Sequence, residues 1–128
     1  MDLAFYRRNA WWLVTGLLLT FGSAFGQTYF ISLSAGSIRA EFGLSDGEWG
    51  GLYSIATLAS AVTLIFAGRL ADTMPLVRVA AGVLVLYAFA ALLMALATGP
   101  VMLAIAVFGL RFCGQGMMSQ IAMTAMAR

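Results

Sequence analysis

The stretch VFGLRFCGQGMMSQ, residues 107–120, carries Arg111, the one charged residue between positions 101 and 127. If 101–127 is a helix that crosses a bilayer, about 1.5 Å per residue from Pro100 puts Arg111 roughly 16 Å deep, near the middle of a ~30 Å hydrocarbon layer. An arginine cannot escape such a place by losing its proton. It needs water, an anion, or acceptors on neighbouring helices, and placing it there costs at least about 2.5–3.5 kcal/mol. The fold therefore turns on whether this segment spans a membrane.

Composition says that it does. Of 128 residues, 62% are hydrophobic and 9% charged, against roughly 25% charged in an ordinary soluble domain. Mean hydropathy is +0.97. A chain so poor in polar surface cannot cover a water-facing globule, and lipid is the solvent that suits it.

Four apolar stretches are long enough to cross, at about 20 residues each: 11–34, 47–71, 76–97 and 101–127. Close spacing makes them one transmembrane unit, an all-α membrane protein of four helices. The first run follows Arg7 and Arg8 but is about twice the length of a signal-peptide core, so it reads as a retained helix. Trp11 and Trp12 suit an interfacial anchor.

Boundary signals agree. In LSDGEWG (44–50), Ser45 can cap a helix while Glu48 reaches back to it, and Leu44 can staple against Trp49. Pro75 opens the third helix, and TGP (98–100) is a turn before the fourth. Arg7, Arg8, Arg69, Arg78 and Arg128 fall on one side and Arg39 alone on the other, so the positive-inside rule puts both termini in the cytoplasm.

Projection at 100° per residue sorts the faces. In the first span Gly16, Thr20, Ser23, Gln27 and Ser34 form a polar stripe, and Gly22 with Gly26 a separate GxxxG pair suited to close helix packing. Gln27 is either glue between helices or part of a cavity wall. In the fourth span Arg111, Gln115, Ser119 and Ala122 share a lane, with Gly109, Gly116, Gln120 and Thr124 opposite. The second helix shows a small-residue side of Gly47, Gly51, Ala59, Thr63 and Ala67, and the third is interrupted only by Gly82 and Tyr87.

Glu41, Asp46 and Glu48 lie in an outer loop or first turn, Asp72 at an inner helix end and Asp2 at the terminus. Arg111 thus has no buried acid within this chain. With no histidine or lysine and a single Cys113, no metal site, cofactor or activated nucleophile is expected, which argues against an enzyme. A net charge of +2, scattered in single or paired arginines, gives no footprint for nucleic acid.

The runs FGQTYFISLSAGSIRAEFGLSDGEWGGLYSIATLASA (25–61), GRLAD (68–72) and RFCGQGMMSQIAMTAMAR (111–128) resemble the opening third of a major facilitator superfamily transporter. The resemblance implies a partial six-helix half of a twelve-helix fold in a bacterial cell membrane. It also implies a truncated chain whose remaining helices lie elsewhere, and which is not expected to transport alone. The family's loop signature G-x-x-x-D-R-x-G-R-R/K is matched at Gly68 and Asp72, with Thr73 and Pro75 in place of arginine and glycine and Arg78 just beyond. By resemblance these three residues form a cytoplasmic latch. Arg111, Gln115 and Gly116 resemble the arginine, glutamine and glycine of the family's fourth helix, with one extra residue before the glutamine. Such an arginine lines the central cavity and can hold an anionic substrate.

The expected function is therefore alternating-access transport of a small solute, with an organic anion favoured. The cavity residues would be Arg111, Gln115, Ser119, Gln27, Ser23 and Thr20. Two other readings fit four helices: a dimeric multidrug exporter, which would resemble its kind better with a glutamate in the first span, and a membrane scaffold or assembly subunit, for which packing faces suffice.

Overall fold

The capping box expected at Ser45 is formed. Its backbone N–H donates to Glu48 Oε2 at 2.8 Å, and the Glu48 N–H donates to Ser45 Oγ at 3.2 Å. Two donors left free at a helix start are thereby satisfied. Ser45→Ala is expected to cost about 1 kcal/mol, read as a lower unfolding midpoint in detergent; an unchanged midpoint would mean the box adds nothing.

The computed structural model describes residues 3–127. Six α-helices make four antiparallel rods: α1 (Leu3–Gly22) continuing into α2 (Thr28–Phe42), α3 (Asp46–Thr73), α4 (Leu76–Ala95), and α5 (Pro100–Leu110) continuing into α6 (Ser119–Ala127). No strand occurs among the described residues. Three rods, Asp46–Thr73, Leu76–Ala95 and Pro100–Ala127, are long and apolar enough to cross a membrane. This is the make-up of a membrane protein. Arg7, Arg8, Arg69 and Arg78 gather at one end of the rods and Arg39 at the other; Arg128 and Asp2 lie outside the described residues.

The first span differs from its expectation. The apolar run 11–34 is not one helix: a 3₁₀ turn, Ser23–Gly26, and an extended Gln27 (ψ 149°) divide it. The local reason is the run Gly22, Ser23 and Gly26, with poor helix formers and a serine hydroxyl that donates to the Thr20 carbonyl at 2.6 Å. The tertiary reason is the crossing with the fourth rod. A Cβ on Gly26 would overlap the Leu110 carbonyl oxygen and stand 2.9 Å from the Gly114 Cα. Broken backbone at membrane depth survives only where protein covers it, and Ser23 and Gly26 are both buried. Beyond the break α2 ends at Gly43, whose left-handed φ of 64° closes the helix.

The fourth rod is the hub. Its middle, Arg111–Met118, is π-helical, widened to i→i+5 bonding, and the 3₁₀ turn of the first rod packs on it. Leu103, Ala106, Val107, Cys113, Met117, Met118, Ile121, Ala122 and Ala125 are all nearly inaccessible. α1 lies along α6, α4 along α5, and α3 along α5 and the π segment. Leu17, Leu18, Phe21, Ile55, Leu58, Ile65 and Phe66 point outward and exposed, which only lipid or further protein makes tolerable.

The packing face of α3 also differs from the expected one. Ala56, Ser60, Gly68 and Ala71 are buried, while a Cβ at Gly47 or Gly51 would meet nothing. Small residues occur on more than one side of this helix. The fourth rod selects among them, because the Gln120 side chain fills the space over Gly68.

Candidate functional site

Arg111 opens the π segment halfway along the fourth rod and is half-buried. Its Nη1 donates to Thr28 Oγ1 at 2.6 Å, and its Cζ lies 5.4 Å from the centroid of the Tyr53 ring. The Thr28 hydroxyl in turn donates to Gln115 Oε1 at 3.4 Å. These partners are neutral. The one ion pair among the described residues, Arg39 with Asp46, is at the far end of α2, and being exposed it adds little.

One hydrogen bond to a charged group contributes about 1.5–3 kcal/mol, and a cation–π contact about 0.5–2. Together they offset the cost of placing the guanidinium at mid-depth without cancelling its charge. Arg111 Nε remains buried and unpartnered.

Beside it lies a cleft of about 250 Å³ between α3 and the π segment, lined by Thr57, Ser60, Leu64, Arg111, Gln115 and Gly116 among others. Thr57 Oγ1 and Tyr53 Oη are likewise buried without partners. Such orphans are rare in native structures and mark places where something else binds. An apolar pocket of about 310 Å³ on the flank of α2, bounded by Phe25, Phe30, Ile31 and Leu103 with Ser34 and Glu41, has no buried unpartnered polar atom in its wall. The chemistry is therefore in the smaller cleft.

The lane foreseen along the fourth span is only partly kept. Arg111 and Gln115 share the cleft, but Ser119 does not line it, and Gly116, expected opposite, does. The π segment explains this, since an added residue in the turn rotates the remainder of the helix by roughly 100°. Ala122 is turned into the core, against Gly16.

The polar stripe of the first span does not reach the cleft. Thr20 is exposed and donates to the Gly16 carbonyl at 2.9 Å. Ser23 is buried, and Gln27 Nε2 donates to Ser23 Oγ at 3.3 Å. These three serve the break itself. After the extended Gln27 the register changes, and Thr28 is the residue presented to Arg111.

Of the latch residues, Gly68 and Asp72 line a third cavity, of about 320 Å³, with Arg69 and Gln120. Arg78 lies outside it. Among the described residues Asp72 forms no ion pair with Arg69 or Arg78.

Tyr53, Thr57 and Ser60 were not foreseen. Their spacing of four and three places them on one side of α3, a signal of the kind read in the other spans. No protein-family profile, curated protein or solved structure matches this chain.

Proposed function

We propose that this chain is the solute-binding part of a secondary transporter of the major facilitator kind, moving a small solute with an anionic group by alternating access. The observation that carries the reading is the Arg111 guanidinium at mid-span. It is held by the Thr28 hydroxyl and the Tyr53 ring, has no carboxylate partner among the described residues, and faces a cleft with further unpartnered polar atoms.

An anion there would supply the missing counter-charge, with Thr57 and Gln115 as neutral hydrogen-bonding partners. The resemblance of the fourth helix is supported by the π segment as well. One extra residue between arginine and glutamine is what a π turn absorbs. In this reading the arginine-rich end faces the cytoplasm, further helices complete the translocation path, and Gly68 with Asp72 lies at the cytoplasmic mouth.

The test is a solute panel in vesicles containing the transporter. Small organic monoanions are expected to exchange for one another, while neutral analogues of the same size exchange roughly tenfold more slowly or less. Equal exchange of neutral and anionic members would overturn the reading.

A further inference from the structure

Two of the cavities lie on one line. The Arg111 cleft and the cavity at the Asp72 end share Ala61 and Leu64 in their walls. On α3 the cleft residues Thr57, Ser60, Ala61 and Leu64 and the cavity residue Gly68 succeed one another at helical spacing. Leu64 stands between the chambers. It is seated on bare backbone, since a Cβ at Gly116 would be 3.0 Å from Leu64 Cδ1 and 3.2 Å from Cδ2.

Below Leu64, Gln120 reaches over Gly68, and its Oε1 is buried without a partner. Arg69 and Asp72 complete that chamber.

We propose that the groove between α3 and the fourth rod is a two-station path, and that Leu64, resting on Gly116, is the apolar gate between the stations. The proposal rests on the transport reading above. An isobutyl group between two polar chambers excludes water from the constriction, the way hydrophobic gates work in pores. Each station offers an arginine and an amide side chain to an anionic group. The upper has Arg111 and Gln115, and the lower has Arg69 and Gln120 with the Asp72 carboxylate beside them. Asp72 offsets the lower arginine, so a monoanion is held less firmly there and can leave. Conduction along a path needs that order of affinities.

Thiol accessibility tests the gate without any solute. Cys113, the sole cysteine, is buried in the core, so Cys113→Ala gives a background in which Thr57→Cys carries the only thiol. A charged, membrane-impermeant thiosulfonate is added to the Asp72 face of sealed vesicles, and separately to the opposite face. From the Asp72 face, Leu64→Ala is expected to speed modification about tenfold or more, and Leu64→Trp to slow it below the background with Leu64 intact. Rates from the opposite face should not change.

Unchanged rates from the Asp72 face in both variants would overturn the gate. So would equal acceleration from both faces, which reports general loosening. Failure of the transport reading looks different: the solute panel then fails to discriminate while these rates still respond to Leu64.

Discussion

Alanine at Gly26 is expected to disrupt the crossing of the first and fourth rods, while alanine at Gly22, four residues earlier, is expected to be nearly neutral. The two glycines share a sequence pattern, so the contrast comes wholly from what each faces. At Gly26 the added methyl would overlap the Leu110 carbonyl oxygen and press on the Gly114 Cα, both backbone. At Gly22 it would meet only the Met118 Cε at 3.3 Å, the free end of a flexible side chain.

Overpacking a tight contact costs about 1–3 kcal/mol and sometimes more. Gly26 belongs at the upper end, because neither rod can yield without moving its backbone. Two further features depend on the same crossing. The 3₁₀ turn of the first rod and the π segment of the fourth are stacked there, and Thr28, just past the break, holds Arg111. A large drop in the unfolding midpoint of Gly26→Ala with little change in Gly22→Ala is the expected result. Equal midpoints for the two would mean that the rods do not cross at Gly26.

The same crossing shows how far the sequence could be read. Span positions for the second, third and fourth rods, the Ser45 cap and the close-packing role of Gly26 come from local patterns, because hydropathy and capping are properties of a few neighbouring residues. The break in the first span does not. Ser23, Gly26 and Gln27 are compatible with a continuous membrane helix until the fourth rod's backbone comes against them. The π segment was hidden for a similar reason: projection at a fixed 100° per residue presumes the α-helical turn, and one widened turn moves Gly116 into the cleft and Ser119 out of it. Arg111 itself was legible from its charge alone. Its partners Thr28 and Tyr53 come from two other rods, and tertiary contacts of that kind leave no trace in periodicity.

The second large effect is expected at Arg111. Its removal should abolish most transport while leaving the fold intact or firmer. Losing a hydrogen-bonded charge contact to the solute corresponds to roughly ten- to hundred-fold in uptake. Folding should not suffer, because the variant no longer carries a guanidinium at mid-depth, costly by about 2.5–3.5 kcal/mol or more, and the Thr28 hydroxyl it releases is on an exposed residue. Lysine would keep the charge but lose the planar fork that can hold Thr28 and an anion at once, so Arg111→Lys should fall between.

Stability and uptake together separate a solute-binding arginine from one that only ties helices together. A tie would show its loss in stability, and the uptake of any protein that still folded would be near normal. The most direct measurement is therefore organic-anion uptake and unfolding midpoint taken on the same preparations of the unmodified protein, Arg111→Lys and Arg111→Ala. Uptake is expected to fall in that order, to a few per cent or less in the alanine variant, with midpoints equal or rising. Unchanged uptake in Arg111→Ala, or a midpoint that collapses along with it, would contradict a solute-binding role for Arg111.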